Sequence, residues 1–393
     1  MMRAVLTLRQ WFQAARRSSV GRAVLHWRTP MWAVRVILAL WLIGQIAPAP
    51  VRAPLGEPQT VKVIHPQLCV HTRLIDEVPE YRIQQTFIAI REMGAGTIVE
   101  FFPWAYIEGS PGVYGWGQAD KIFKHARNQG VKIIARMGFV PAWARPDLPN
   151  QPPTTLNTLP EDSFDEFAAF TALFAARYAD QLDGIVIWNE PNLSFEWGFR
   201  PVDPAGYTRL LAASYGAIKA VAPDVLVLGG ALAPTVEPVG SPNALNDLIY
   251  LDGMLKAGAG KVMDGLAIHT YGFTQPHDAA PAPDRLNFRR AELIHEVLAD
   301  HGLGDFPVYI TETGWNDHPR WLQAVTPSQR IDYTLGAYKL ADETWPWAKK
   351  VCLWVFRYPA PTHSYPDYFT LSTTDFDLKP LYYALKAYGA GSE

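Results

Sequence analysis

Residues 184–192 read GIVIWNEPN, a short apolar run that ends in asparagine, glutamate, proline and asparagine. Such a run is typical of a strand buried on both faces of a parallel sheet. The same layout recurs along the chain and predicts eight strands: Leu68–Leu74, Thr97–Phe102, Val131–Met137, Gly184–Trp188, Val225–Gly229, Leu266–His269, Val308–Thr311 and Val351–Phe356. Each run is followed by a helical pattern, and the eight predicted helices are Glu80–Met93, Ala119–Asn128, Asp162–Leu182, Pro204–Val221, Ala244–Gly258, Asp284–Gly302, Pro327–Glu343 and Pro380–Tyr388.

This alternation over residues 62–390 predicts an α/β fold, a (β/α)8 TIM barrel that forms one catalytic domain. An open doubly wound sheet is the alternative, but no glycine-rich phosphate-binding turn follows the first predicted strand. The proline-rich residues 141–160 lie between the third strand and the third helix. We therefore interpret them as a long loop at the C-terminal face of the barrel, not as a linker.

The composition is that of a globular protein and excludes several classes of function. The chain has 393 residues, of which 49% are hydrophobic and 19% charged, and its net charge is -3. This balance offers no polycationic surface for the phosphates of a nucleic acid. Two cysteines cannot form a disulfide scaffold or a multi-cysteine metal site. Cys69 and Cys352 fall on the first and last strands, which are neighbours in a closed barrel, so a disulfide is conceivable; we expect two buried thiols.

The first 53 residues differ from the rest of the chain. Residues 1–35 contain seven arginines and no acidic residue, and residues 36–51 then run uncharged as VILALWLIGQIAPAPV. A basic lead before a short apolar stretch predicts an export signal or a short membrane anchor. The stretch is shorter than the roughly 20 residues of a comfortable membrane-spanning helix. We expect the domain to be exported, either secreted or membrane-anchored outside the cytoplasm; a disordered basic extension is the alternative.

Two carboxylates stand where a barrel places its chemistry. Glu190 follows the fourth predicted strand, and Glu312 follows the seventh in the sequence Ile310-Thr311-Glu312. The C-terminal ends of barrel strands point into one pocket, so the two side chains are expected to face each other there. A pair of carboxylates about 5–5.5 Å apart suits glycoside hydrolysis with retention of configuration, and a wider pair suits inversion.

The motifs around these glutamates resemble those of a known group of enzymes. Residues 188–191 (WNEP) and 311–315 (TETGW) are similar to the acid/base and nucleophile strand ends of the clan-A retaining glycoside hydrolases. The resemblance extends to residues 104–108, 111–116 and 141–143. The layout looks most like the β-xylosidase/α-iduronidase-like branch and its bacterial cellulase-like relatives, and it covers essentially all of residues 62–390.

The resemblance implies roles for individual residues. Glu190 becomes the general acid/base and Glu312 the nucleophile of a double displacement. Asn189 is expected to hydrogen-bond the sugar 2-hydroxyl, and Trp354 to form a platform under the sugar ring. His269 and Tyr271 match positions that face the sugar or hold the nucleophile. Trp104 is the remaining expected substrate contact. The structural alternatives are ion pairing for the two glutamates, a barrel-top position without substrate contact for His269 and Tyr271, and simple packing for Trp354.

One position departs from the resemblance. Relatives usually carry an arginine near the end of the second strand that steadies the charge of the nucleophile, but Glu100 lies in the corresponding stretch here. Arg73 and Arg136 lie on the flanking strands. We hypothesise that one or both neutralise Glu100 in a charge network at the barrel mouth. If Glu100 faces the sugar instead, it is a third acid in the site.

These observations predict a glycosidase that hydrolyses a β-linked oligosaccharide or polysaccharide by double displacement through a covalent glycosyl-enzyme. No metal or organic cofactor is expected, because the two carboxylates supply acid, base and nucleophile. We expect a monomer whose partner is the carbohydrate substrate, with a possible membrane tether through the N-terminal segment. The alternatives are a non-catalytic carbohydrate-binding barrel, a transglycosidase on the same scaffold, or a membrane-tethered scaffold protein.

Overall fold

The computed structural model describes residues 31–42, 53–145 and 154–391. The chain divides into two units, with the boundary between residues 52 and 53. In the first unit, residues 31–42 are helical. Among the described residues, no helix has both the length and the apolar character needed to cross a membrane. Only residues 36–42 of the predicted signal or anchor segment, residues 36–51, are among the described residues.

The second unit is a closed parallel barrel with strand order β1 to β8. The strands are β1 (Leu68–Thr72), β2 (Thr97–Pro103), β3 (Lys132–Gly138), β4 (Leu182–Ile187), β5 (Val227–Leu232), β6 (Gly265–Tyr271), β7 (Val308–Gly314) and β8 (Ala348–Leu353). Eight main helices follow them within the described residues: α1 (Glu80–Glu92), α2 (Gly117–Gln129), α3 (Phe164–Tyr178), α4 (Pro204–Val221), α5 (Asp247–Lys256), α6 (Arg290–Asp300), α7 (Pro327–Thr344) and α8 (Pro380–Gly389). The predicted TIM barrel is confirmed.

Two apolar layers hold the barrel together. Alternate strand residues such as Val99, Ile134 and Val186 form a small cluster inside the barrel. The intervening residues, such as Ile98 and Ile133, pack outward against the helices in a much larger cluster. Because the inner cluster fills the barrel, the interior is a packed core rather than a pore, and the space for a ligand is at the C-terminal rim.

Two helices begin later in the sequence than predicted, and the local structure at their N-termini explains why. The helix predicted from Asp162 begins at Phe164, because residues 161–163 form a separate 3-10 turn. The helix predicted from Ala244 begins at Asp247, where the side chain of Asn246 accepts a hydrogen bond from the amide of Leu248. Such capping bonds are local side-chain choices that apolar periodicity does not reveal.

The first and last strands are joined covalently. Cys69 of β1 lies directly opposite Cys352 of β8 in the sheet register. The two residues form a disulfide, with their Cα atoms 4.2 Å apart. The expectation of two buried thiols was therefore wrong. Closure of the barrel brings the two cysteines, which are far apart in the sequence, to one register position where their side chains meet.

Candidate active site

Glu190 is set at the rim by a sharply turned backbone. Trp188 and Glu190 both adopt positive φ angles, 75° and 44° respectively, which non-glycine residues rarely do. The amide of Glu190 donates to the carbonyl of Ala231 on β5, 2.9 Å away. Its carboxylate oxygen Oε1 lies 2.7 Å from Nδ1 of His269 on β6. The turn ties the carboxylate between strands β4 and β6 and aims it at the barrel axis.

Glu312 on β7 is held by two donors, one on each oxygen. Arg136 Nη1 donates to Oε1 at 2.6 Å, and the hydroxyl of Tyr271 donates to Oε2 at 2.7 Å. Burial, together with the charge of Glu312, raises the pKa of Tyr271 well above its ordinary value, so the phenol keeps the proton that it donates. The two contacts fix the orientation of the Glu312 carboxylate.

A register shift explains why Glu312 points inward. Tyr309 on β7 belongs to the cluster inside the barrel, so strict alternation would turn residue 312 toward the helices. The pairing of β6 with β7 shifts between Ile268 and His269, and His269 then lies opposite Glu312. The irregularity moves the carboxylate to the inner face, where it meets Arg136.

The two carboxylates are close enough to act on one bond. Oxygen atoms of Glu190 and Glu312 and a ring nitrogen of His269 all lie within 4.8 Å of one another. These three residues could offer ligands to a metal ion. However, both oxygens of Glu312 already accept hydrogen bonds, and one donor is a guanidinium, which would repel a cation. The set is therefore better suited to acid–base and nucleophilic chemistry than to metal binding.

The carboxylates open into a cavity of about 280 Å³, which we call the polar cavity. Asn189 and Trp354 line it beside Glu190 and Glu312. Arg136 Nη1 also donates to Asn189 Oδ1 at 2.7 Å, so one guanidinium positions two of these residues. The structure thus brings the predicted catalytic and substrate-contact residues together, apart from Trp104. Their contacts with substrate stay predictions.

Trp104 lies elsewhere. Its ring is fully buried, its indole nitrogen donates to Glu108 Oε2 at 2.7 Å, and it packs edge-on against Trp143 and Phe167. The side chain has no exposed surface with which to contact a sugar. It therefore packs the loops after β2 and β3. The expectation that Trp104 contacts the substrate was wrong, because its ring is buried away from the polar cavity.

Glu100 makes a different set of contacts from those hypothesised. Its carboxylate accepts from the amides of Leu74 and Ile75, each at 2.9 Å, and from the hydroxyl of Thr72 at 2.5 Å. Burial raises the pKa of Glu100 to about 7, and these donors oppose the shift. Glu100 therefore anchors the chain that leaves β1.

The hypothesised charge network was wrong, because both arginines are engaged elsewhere. Arg73 pairs with Asp76 at 2.6 Å, and Arg136 pairs with Glu312. In the sheet register Glu100 lies opposite Ala135, whereas Arg136 lies opposite Phe101. Opposite residues share a face, so Glu100 points outward and Arg136 points into the barrel mouth. Arg136 on β3 thus does what the resemblance assigned to an arginine on β2.

Sequence reasoning missed one acid of the polar cavity. Glu196 lies in the loop after β4 and lines the cavity with Glu190. Asn157 Nδ2 donates to its Oε2 at 2.9 Å. Burial, and next the negative charge of Glu190, raise the pKa of Glu196 to about 7. A loop residue follows no periodicity; the only sequence signal was its position six residues after the proposed acid/base.

No protein-family profile matches the chain, and no curated protein matches it. Solved structures do. A family 39 glycoside hydrolase from Bacteroides cellulosilyticus aligns with a TM-score of 0.65 and 21% identity, over 84% of this chain and 65% of that one. A family 39 β-xylosidase from Caulobacter crescentus gives 0.60 and 21%, over 86% and 73%. A protein of family 5, subfamily 18, from Streptomyces cattleya, solved in complex with GlcNAc, gives 0.62 and 15%, over 86% and 80%.

The chain spans less than two thirds of the length of the first of these structures. Identities of 15–21% establish a common fold. The resemblance to clan-A glycoside hydrolases that the strand-end motifs indicate is confirmed in the architecture, an eight-stranded parallel barrel shared with these enzymes.

Proposed function

We propose that the protein is a retaining glycoside hydrolase that cleaves a β-linked glycoside by double displacement. The observation that carries this proposal is the pair Glu190 and Glu312, whose closest oxygens lie within 4.8 Å across the mouth of the barrel. That spacing is near the roughly 5–5.5 Å of retaining enzymes and leaves no room for the water that an inverting enzyme places between its carboxylates.

The hydrogen bonds divide the two roles. Arg136 and Tyr271 hold the carboxylate of Glu312 in a fixed orientation, which suits a nucleophile that attacks the anomeric carbon. No arginine among the described residues donates to Glu190, whose neighbour is the imidazole of His269. It donates a proton to the departing oxygen as the glycosidic bond breaks. In the second step it takes a proton from water, whose oxygen attacks the anomeric carbon and releases Glu312.

The test is the configuration of the first product. The full chain, kept soluble with mild detergent, is assayed on aryl β-glycosides and on β-glucan and xylan oligosaccharides, and the released sugar is followed by proton NMR. We expect the β-anomer first. Glu312→Ala should abolish release, whereas Glu166→Ala, at an exposed position of α3, should not. First release of the α-anomer would contradict double displacement.

We also propose that the domain works outside the cytoplasm, secreted or tethered by its N-terminal segment. Two observations support this: the basic and then apolar character of residues 1–51, and the disulfide between Cys69 and Cys352. Disulfides persist in oxidising compartments and are rare in the cytosol. Protease added to intact cells should digest the domain, and thiol labelling of the denatured, unreduced protein should find no free cysteine. Protection from protease, with two labelled thiols, would contradict export.

A further inference from the structure

A second cavity meets the polar cavity at the catalytic pair. It has a volume of about 430 Å³ and is lined by Glu190, Glu312 and Trp354, which also line the polar cavity, and by side chains from the loops after β6, β7 and β8. We call it the aromatic cavity. Apart from the two catalytic glutamates, none of its described lining residues is charged. The polar cavity, by contrast, is also lined by Arg73, Arg136 and Glu196.

The wall of the aromatic cavity is a stack of rings. Trp321, after β7, and Tyr365, after β8, lie with ring centroids 4.8 Å apart and planes 18° from parallel. Phe369 packs against Trp321 at 6.2 Å and against Tyr271 at 5.6 Å. Tyr365 is 45% exposed, so the stack leaves aromatic surface open to solvent beside the reacting carboxylates.

Hydrogen bonds between side chains and the backbone fix the loops that carry these rings. Asn316 Nδ2 donates to the carbonyl of Tyr365 at 2.7 Å and joins the two loops. Asp367 accepts from the amides of Thr362 and His363, each at 2.9 Å. The stack is thus organised before any ligand arrives, and little side-chain entropy is lost on binding.

We infer that the aromatic cavity binds a second, uncharged pyranose ring of the substrate, so that the preferred substrate is an oligosaccharide. This inference rests on the proposed function. The faces of a pyranose carry C–H groups that pack on the negative face of an aromatic ring, and its hydroxyls can reach Gln323, Tyr358 or solvent. An acidic sugar would meet Glu190 and Glu312 with no cation among the described lining residues to balance it.

The experiment compares two substrates of the same sugar in the full chain. A β-glycosyl fluoride offers one ring and the smallest leaving group, whereas a β-1,4-linked trisaccharide also offers rings to neighbouring sites. Glucosyl, xylosyl, galactosyl and mannosyl forms are screened with the wild type first. Trp321→Ala is expected to lower kcat/KM for the trisaccharide by about tenfold or more and to leave the fluoride within about twofold.

Two further variants control for folding and for the ring itself. Leu322→Ala changes the adjacent side chain, which is 95% exposed and does not line the cavity, and should leave both substrates unaffected. Trp321→Phe keeps an aromatic face and should recover part of the trisaccharide activity.

The outcomes separate the two proposals. Equal effects of Trp321→Ala on fluoride and trisaccharide, or no effect on either, would overturn the second-ring site and leave the glycosidase proposal standing. A wild type that is silent on every fluoride and every trisaccharide would overturn the glycosidase proposal, and this inference with it.

Discussion

Two buried glutamates at the rim of the same barrel, Glu312 and Glu100, point in opposite directions and make different contacts. Glu312 on β7 faces inward, is held by Arg136 and Tyr271, and borders both cavities. Glu100 on β2 faces outward, has no exposed surface, and accepts from the backbone amides of Leu74 and Ile75. Both carboxyl groups are buried and both accept hydrogen bonds. The two residues differ in the direction of the side chain and in the hydrogen-bond donors. Side chains that face the barrel mouth donate to Glu312, whereas backbone amides donate to Glu100.

The largest effect is expected from Glu312→Gln, which tests the role of the inward-facing glutamate. The amide is close in shape but cannot attack the anomeric carbon, so kcat/KM should fall by about 10⁴-fold or more. The amide oxygen can accept from Tyr271, but the amide nitrogen cannot accept from Arg136, so the temperature of thermal unfolding should fall as well. A variant that kept a hundredth of the activity would show that Glu312 is not the nucleophile.

Removing the arginine tests whether its contact with Glu312 is functional. Arg136→Met removes the donor to both Glu312 and Asn189, and its side chain can still pack on Phe101, whose ring the guanidinium covers at 4.9 Å. We expect kcat to fall by about 10²–10³-fold, because the nucleophile loses its fixed orientation and its counter-charge. Arg136→Lys should recover only a part, since one ammonium cannot make the same two-directional contact. Wild-type kinetics in Arg136→Met would contradict the positioning role.

The same change at the outward glutamate should act on stability instead. In Glu100→Gln, the amide nitrogen cannot accept a hydrogen bond, so the amide of Leu74 or of Ile75 loses its partner. We expect the free energy of unfolding to fall by about 1–3 kcal/mol in urea titrations at pH 5, with kcat of the folded enzyme unchanged. The exposed Glu166→Gln is the matched control. Loss of kcat without loss of stability would place Glu100 in the catalytic machinery.

The pH dependence of stability gives a second reading of Glu100. Burial raises its pKa to about 7 in the folded protein, above the ordinary value of 4.5. The folded state therefore binds this proton more tightly than the unfolded state does. This contribution to stability is fully present below pH 4.5 and is lost as pH rises through about 7. The Glu100→Gln variant, compared with wild type between pH 4 and 8, should show a shallower decline.

The smallest effect is expected at Glu196. Its pKa of about 7 means that it becomes negative as pH rises through neutrality. This new negative charge lies in the polar cavity beside Glu190, and we expect it to help the wild type keep activity on the alkaline side. Glu196→Gln should move the alkaline limb of kcat/KM to lower pH by less than about one unit, with the acid limb unchanged. A limb that moved to higher pH would reverse the proposed coupling.

Sequence patterns predicted the barrel and the proximity of Glu190 and Glu312. Strands buried on both faces are recognisable as apolar runs, and parallel strands gather their C-terminal residues at one rim, so Glu190 and Glu312 could be placed together. The partner of Arg136 could not be predicted without the register, because a shift of one residue turns a side chain to the other face. Glu196 and the Trp321–Tyr365 stack lie on loops, where no period constrains the side chains.

The disulfide closes a seam that the chain alone leaves open. Every other pair of adjacent strands in the barrel is joined by an intervening helical connection, but β8 and β1 are the last and first strands and are not consecutive in the chain. The bond from Cys69 to Cys352 spans 283 positions of sequence, so it turns a linear chain into a covalent ring. A single cut in any surface loop between these residues would leave both fragments attached. The strands that carry Glu190 and Glu312 would therefore stay covalently joined after such a cut.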